Sequence, residues 1–122
     1  MIMAKYFNDS EFRRCTPPCI ISEMSGEFMD VLDKVRARAG IPLVLNSAYR
    51  TKSYELSHGR NGSSSHCQGK AVDIRCNTSQ NRYKIVKAAL ECGVTRIGIG
   101  KTFVHLDIAT DRVQQVIFDY YD

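Results

Sequence analysis

The chain has 122 residues, 43% of them hydrophobic and 25% charged, a balance typical of one globular domain and not of a disordered or fibrous chain. No apolar stretch approaches the roughly 20 residues that a membrane span requires. The start, MIMAKYFNDSEF, lacks the apolar core of a signal peptide. We therefore expect one domain over residues 1–122, synthesised in the cytoplasm.

The net charge of +4 and the five cysteines limit the classes of partner and cofactor. The lysines and arginines are scattered, which argues against a nucleic-acid-binding module. An odd number of cysteines without a CxxC pair excludes a framework in which all are disulfide-bonded, and it disfavours a four-cysteine zinc module. We expect Cys15 and Cys19 to be reduced and partly buried, with pairing or metal binding as the alternative.

The spacing of apolar residues predicts three helices. Residues 22–39 repeat apolar side chains at helical spacing, a brief helix is predicted over 51–57, and a second amphipathic helix covers 79–92. The predicted N-caps are Ser22 and Ser79, and the predicted stops are Gly40 and Gly93. The side chains of the last helix predicted to face the core are Ile85, Val86, Ala89 and Leu90.

Short aliphatic or alternating segments predict the strands, and the stretch HGRNGSSS at 58–65 predicts a loop. The segments predicted as strands are 42–50, 70–76, 95–100, 101–109 and 114–121. Helices come first and strands follow, with one helix between two strands. We therefore expect an α+β fold with a mostly antiparallel sheet of about four strands flanked by helices.

Two of the three histidines lie close to carboxylates in segments predicted as strands or as the loop leading into one. In SSSHCQGKAVDIRC, His66 precedes a glycine and Asp73 lies within an apolar run. In FVHLD, His105 and Asp107 are two positions apart, so their side chains point to the same face of a strand. A buried carboxylate is costly unless a positive charge or a metal compensates it.

Spacing alone leaves two interpretations of these residues open. In the first, His66, Asp73 and His105 bind a catalytic zinc ion and leave a fourth position for water. In the second, Asp73 pairs with Lys70 or Arg75, and His105 is an ordinary core histidine.

A family resemblance favours the first interpretation. The string S-x-H-x-x-G-x-A-x-D-I resembles the signature of zinc D-alanyl-D-alanine carboxypeptidases and related M15-like murein peptidases, within the superfamily of lysostaphin and the hedgehog domain. Its matching residues are Ser64, His66, Gly69, Ala71, Asp73 and Ile74. FVHLD, at His105, resembles the second half of that signature, and SAYRT at 47–51 resembles its S-x-Y-R-[ST] segment. The resemblance covers roughly residues 40–110.

The resemblance implies an antiparallel sheet flanked by helices and one Zn²⁺ per chain, held by His66, Asp73 and His105. It also implies that Arg50 binds a carboxylate or carbonyl of the substrate peptide. The planar donor fork of a guanidinium suits bidentate binding of such oxygens.

One departure from the family concerns the general base. Several members carry an acid three residues before the last histidine ligand, where this chain has Thr102. Our hypothesis is that Asp107 orients or deprotonates the zinc-bound water, and the alternative is that it accepts a hydrogen bond from a ligand imidazole. Glu55 is a second candidate base.

The loop before the metal motif supplies further candidates for contact with substrate. We expect His58, Arg60 and Ser64 to line the cleft, the alternative being that they are solvated loop residues. Cys67 neighbours a ligand, but the resemblance gives it no role in metal binding.

Together these residues predict a zinc-dependent peptidoglycan peptidase, either a D,D-carboxypeptidase or a D,D-endopeptidase. An L-alanyl–D-glutamate endopeptidase is the second enzymatic interpretation. A non-catalytic zinc domain that binds a partner, and a basic nucleic-acid-binding module, are the rivals from other classes. We expect a monomer that binds murein peptides and neither nucleic acid nor membrane. The resemblance extends to bacteriophage lysis or entry enzymes that reach the cell wall without a signal peptide.

Overall fold

The computed structural model of the chain describes residues 4–120. The described α-helices are α1 (Asp9–Arg13), α2 (Gly26–Ala39), α3 (Lys52–Ser57) and α4 (Ser79–Glu91). The described strands are β1 (Leu45–Ser47), β2 (Ala71–Arg75), β3 (Arg96–Ile99), β4 (Phe103–Asp107) and β5 (Val116–Asp119). Short 3-10 turns cover Ile21–Glu23 and Ser65–Gln68. The predicted domain over 1–122 includes residues 1–3 and 121–122, and the predicted last strand includes residue 121; these residues lie outside the described ones.

The five strands form one sheet in the order β1-β2-β4-β3-β5. All neighbours are antiparallel except β3 and β5, which run parallel. The predicted α+β class with a mostly antiparallel sheet is confirmed, with one strand more than the expected number. Because β4 ends beside the start of β3, a short connection over 108–115 is enough to begin β5 next to β3.

The two faces of the sheet have opposite characters. Val72 and Ile74 of β2, and Val104 and Leu106 of β4, are fully buried in the hydrophobic core beneath α2 and α4. Side chains alternate between the faces of a strand, so the residues between these four point to the other face. The polar residues of β2 and β4 therefore share the face that α2 and α4 leave uncovered.

Helix α2 begins later than the apolar pattern predicts. Ser25 caps it, its hydroxyl accepting a hydrogen bond from the amide of Phe28 at 3.3 Å, so the predicted cap Ser22 is wrong. The reason is that Ile21–Glu23 form a separate 3-10 turn. Gly40 ends the helix in the left-handed region at φ 69°, as predicted.

Helix α4 matches its predicted range closely but differs in two details. Thr78 caps the helix in place of Ser79, its hydroxyl accepting from the amide of Asn81 at 3.1 Å. Ile85 and Ala89 are buried as predicted, whereas Leu90 is 55% exposed. Leu90 lies on the edge of the apolar stripe, where spacing alone does not distinguish core from surface.

A short helix and two thiols complete the core near the start of the chain. Helix α1, which the apolar pattern did not predict, has a capping box formed by Asn8 and Glu11 and buries Phe12. Five residues are too few to show a helical repeat. Cys15 and Cys19 are free and buried, which confirms the prediction of reduced thiols. Among residues 4–120, no helix is long and apolar enough to cross a bilayer.

Gly69 joins the 3-10 turn at Ser65–Gln68 to β2 and touches the backbone that leads into α2. It has φ +68°, and a Cβ there would lie 2.8 Å from the carbonyl oxygen of Glu23 and 2.9 Å from the amide of Ser25. The Ser25 amide also donates to the Gly69 carbonyl at 2.9 Å. Close packing of two backbones therefore requires glycine at this position.

We expect Gly69→Ala to lower the free energy of unfolding by about 2–4 kcal/mol, through the left-handed conformation and the backbone clash together. Gly40→Ala is the matched control because Gly40 has φ +69° with no atom within 4 Å of its Cβ position. Its expected loss is about 1–2 kcal/mol. Urea denaturation of both variants measures the difference, and equal losses would contradict the clash.

Candidate metal centre and substrate cleft

The pairing of β2 with β4 places two of the predicted ligands directly opposite each other. Asp73 is the register partner of His105, and Nδ1 of His105 lies 3.0 Å from Oδ1 of Asp73. Nε2 of His66 lies 3.5 Å from the same oxygen. One potential ligand atom from each of the three residues lies within 4.8 Å of the others. The structure thus brings the three residues together, as the sequence predicted.

The ring of His66 is oriented by the backbone. Its Nδ1 lies 2.7 Å from the carbonyl oxygen of Ala48, just beyond β1. A carbonyl only accepts hydrogen bonds, so Nδ1 carries the hydrogen and the lone pair belongs to Nε2. Nε2 is also the nitrogen that lies 3.5 Å from Asp73.

The ring of His105 is held by a buried carboxylate. Its Nε2 lies 2.6 Å from Oδ2 of Asp107, which is 0% exposed. Asp107 also accepts hydrogen bonds at 3.1 Å from the hydroxyl of Ser65, from Nε of Arg96 and from the amide of Ala109. Because Nε2 carries the hydrogen, Nδ1 of His105 keeps its lone pair free to bind a metal ion together with the other two candidate ligands.

The donor set fits a divalent cation such as zinc. Two imidazole nitrogens and one carboxylate oxygen are zinc ligands, and an acceptor on the far nitrogen is the usual support of a metal-binding histidine. The alternative partners Lys70 and Arg75 make no ion pair with Asp73 among the described residues. Its second oxygen instead lies 3.3 Å from Nη2 of Arg50.

Charge in the centre also favours a cation. Burial alone would raise the pKa of Asp73, but hydrogen bonding and charge from His105 and His66 hold that pKa well below its ordinary value. Burial alone would raise the pKa of Asp107, but His105 and Arg96 lower it. Burial would lower the pKa of His105, but Asp107 and Asp73 raise it. Two ionised carboxylates therefore flank the imidazole of His105.

Arg50 is fixed beside the candidate metal ligands by a buried glutamate. Its Nη1 lies 3.3 Å from Oε2 of Glu55, and its Nε donates to the hydroxyl of Ser47 at 3.0 Å. Glu55 is 0% exposed and also accepts a hydrogen bond from the hydroxyl of Ser64 at 2.8 Å. The thiol of Cys67 donates to the other oxygen of Glu55 at 3.3 Å. Glu55 thus joins α3, Arg50 and the segment carrying His66.

These residues open onto a cleft of about 400 Å³. Besides the three candidate ligands, its lining includes Arg50, Arg60, Ser64, Arg96, Phe103, Arg112 and Tyr120. His58, predicted to line the cleft, is not among the lining residues. Its Nδ1 lies 2.8 Å from the carbonyl oxygen of Tyr54, and the two rings stack with centroids 4.1 Å apart.

Tyr120 is a cleft residue that the sequence analysis missed. Tyr120 is two positions after Phe118, the spacing of side chains on one face of a strand. The centroid of the His105 ring lies 6.5 Å from that of Tyr120 and 5.8 Å from that of Phe118. A Cβ on Gly98, the register partner of His105 on β3, would lie 2.6 Å from the ring of Phe118 and 2.8 Å from that of Tyr120. Partial burial and the nearby Asp73 raise the pKa of Tyr120 to about 12, so its phenol stays protonated at neutral pH.

Comparison with known proteins identifies the family. The sequence profile of the Peptidase M15 family matches residues 5–107, and the chain belongs to this family. Among solved structures, the fold is similar to that of the Serratia marcescens L-Ala D-Glu endopeptidase ChiX, with a TM-score of 0.56 and 17% identity. The match covers 90% of this chain and 92% of that chain. No curated protein sequence matches this chain.

We expect Glu55→Gln to lower the free energy of unfolding at pH 7 by about 1–3 kcal/mol, because Arg50, whose side chain is only 14% exposed, loses a charged and fully buried partner. Burial alone would raise the pKa of Glu55, but hydrogen bonds from Ser64, Cys67 and Arg50 lower it. A carboxylate whose pKa is lowered in the folded state stabilises the protein at pH above its ordinary pKa of about 4.3. This stabilisation is lost as the pH falls through the lowered, folded-state pKa. The deficit of the variant should therefore shrink in acid.

Denaturant unfolding between pH 3 and pH 7 measures this difference. Glu91→Gln is the control, since Glu91 pairs with Arg38 at 3.2 Å on the surface and its loss should change stability little. A Glu55→Gln variant as stable as the original protein at pH 7, or a deficit that does not change with pH, would contradict the buried-charge role of Glu55.

Proposed function

We propose that this M15-family protein is a zinc-dependent peptidase that hydrolyses peptidoglycan peptides. The observation that carries the proposal is the convergence of Nε2 of His66, Nδ1 of His105 and the carboxylate of Asp73 in one cleft. The family assignment supports peptide hydrolysis. The likeness in fold to an endopeptidase named for the L-Ala D-Glu bond supports a murein substrate.

The residues around the centre have distinct roles in this proposal. Bound zinc would polarise the scissile carbonyl and lower the pKa of a coordinated water. Arg50, held in position by Glu55, binds a carboxylate or carbonyl oxygen of the peptide. The protonated phenol of Tyr120 lines the same cleft and donates a hydrogen bond to the oxygen on which negative charge develops.

The geometry favours the orienting role of Asp107 over the role of base. Asp107 is fully buried behind His105 and is not among the residues that line the cleft. A general base must reach the proton that it abstracts, directly or through one water. Thr102 is no substitute, because it too lies outside the cleft lining and a threonine hydroxyl does not accept a proton usefully at neutral pH.

The bond that is cleaved has two candidates. Cleavage after D-alanine, as a D,D-carboxypeptidase or D,D-endopeptidase, remains the prediction from the family resemblance. An L-alanyl–D-glutamate endopeptidase is the second candidate, favoured by the fold of the Serratia enzyme and by four arginines in the cleft lining. A glutamyl residue has two carboxyl groups, and only one of them continues the peptide.

Mass spectrometry of purified murein fragments tests the proposal. We expect the zinc-loaded protein to shorten the fragments, a chelator to stop the reaction and added zinc to restore it. Asp73→Asn should abolish turnover, whereas Asp30→Asn on the exposed face of α2 should leave it unchanged. Loss of a terminal alanine, opening of cross-linked dimers or release at L-alanine would identify the bond. Intact fragments with stoichiometric zinc bound would refute the peptidase function and favour a binding domain.

Asp107→Asn separates the orienting role from the role of base. If Asp107 orients His105, the variant should bind zinc about 10–100-fold more weakly and turn over substrate once zinc is saturating. Competition with a chromogenic chelator measures the affinity, and fragment hydrolysis in excess zinc measures the turnover. A variant that binds zinc with unchanged affinity and has no activity would show that Asp107 is the base.

A further inference from the structure

Only two of the four arginines that line the cleft pair with carboxylates of the candidate metal centre and its surroundings. Of these four arginines, Arg50 pairs with Glu55 and Asp73, and Arg96 pairs with Asp107 at 3.0 Å. Nη1 of Arg96 also donates to a backbone carbonyl at 2.6 Å. These two guanidiniums are therefore held within the protein by carboxylates. The other two, Arg60 and Arg112, are here called the rim arginines.

The rim arginines have no comparable partners. Among residues 4–120, no carboxylate lies within ion-pair distance of the exposed Arg60. For Arg112, Oδ1 of Asp111 lies 3.8 Å from Nε, which is beyond hydrogen-bond distance. Both side chains line the cleft that contains the candidate ligands. They therefore have charge and hydrogen-bond donors left for a ligand.

Backbone contacts fix the two positions beside the metal-binding segment. The amide of Arg60 donates to the carbonyl of Glu55 at 2.9 Å, which turns the chain sharply after α3. Nη2 of Arg112 donates to the carbonyl of Ser63, three residues before His66. The side-chain amide of Gln114 closes the segment around Arg112 by donating to its carbonyl at 2.9 Å. The rim arginines are thus presented from two loops that are joined to each other.

The electrostatics of the cleft favour an anionic substrate. Four arginines face two lining carboxylates, those of Glu55 and Asp73, and a bound divalent cation adds further positive charge. A cleft with one predominant sign of charge attracts ligands of the opposite sign. A guanidinium binds a carboxylate with two parallel hydrogen bonds, so a carboxylate is the natural ligand for an unpaired arginine.

We propose that the rim arginines form a second carboxylate-binding subsite, separate from Arg50, that selects peptides with a free carboxylate beside the scissile bond. This inference rests on the proposed peptidase function. The ligand with the matching chemistry is a D-glutamyl residue, whose second carboxyl group stays free while the first continues the peptide. A terminal D-alanine has one carboxylate only, which Arg50 can bind alone.

Two synthetic peptides test the subsite: L-Ala–γ-D-Glu–L-Lys with a free α-carboxylate, and the same peptide with an α-carboxamide. Hydrolysis by the zinc-loaded protein gives kcat/KM for each, and calorimetry with the chelator-treated protein, in which cleavage is stopped, gives each Kd. We expect the acid to be preferred over the amide by about tenfold in both quantities. Arg60→Gln and Arg112→Gln should each reduce that preference by raising KM and Kd for the acid only.

The controls separate a subsite from a structural effect. Arg38→Gln lies on α2, beneath the opposite face of the sheet, and should keep the full preference for the acid. Thermal melting monitors folding, and Arg60→Gln is the cleaner variant because its guanidinium makes no ion pair with the described residues. Equal Kd values for the acid and the amide, or an unchanged preference in Arg60→Gln, would overturn the subsite. Acid-selective binding without cleavage of either peptide would refute the L-alanyl–D-glutamate bond as substrate and leave the subsite standing.

Discussion

The pairing of Asp73 with His105 across β2 and β4 is the constraint on which the site depends. The two residues are register partners, so their side chains meet on one face of the sheet. The register is enforced from the other face, where Val72 and Leu106 are fully buried in the core. A slip of one residue would turn the apolar side chains outward and the candidate ligands into the core. Hydrophobic packing under α2 and α4 thus positions the polar residues of the candidate metal centre.

A second layer of hydrogen bonds converts this position into a defined set of donor atoms. The carbonyl of Ala48 and the carboxylate of Asp107 each hold one nitrogen of a histidine, so the remaining nitrogens face Asp73. Asp107 is itself bound by Ser65, next to His66 in the chain. The two histidines are therefore linked through Ser65 and Asp107 as well as through Asp73, which lies beside both rings. A change at Asp107 would affect both histidines.

Strand alternation acts over a few residues and was enough to place His105 and Asp107 on one face of a strand, but spacing alone left the ligand set open. The resemblance of the S-x-H-x-x-G-x-A-x-D-I string to a family signature is what favoured His66, Asp73 and His105 as candidate ligands. The positions of Arg112 and Tyr120 in the cleft could not be predicted in this way. They depend on β5 pairing in parallel with β3, a contact between segments distant in sequence. The N-cap of α2 was misplaced for a different reason, since the predicted cap Ser22 lies within a separate 3-10 turn at Ile21–Glu23 and the helix begins only after Ser25.

The central claim is that one zinc ion is held by Nε2 of His66, Nδ1 of His105 and the carboxylate of Asp73. A crystal grown with zinc, with diffraction recorded on both sides of the zinc absorption edge, tests this claim most directly. We predict a single strong anomalous peak about 2.0–2.2 Å from those three atoms, with Nε2 of His105 still bonded to Asp107. No peak between the three residues, or coordination through Nε2 of His105, would contradict it.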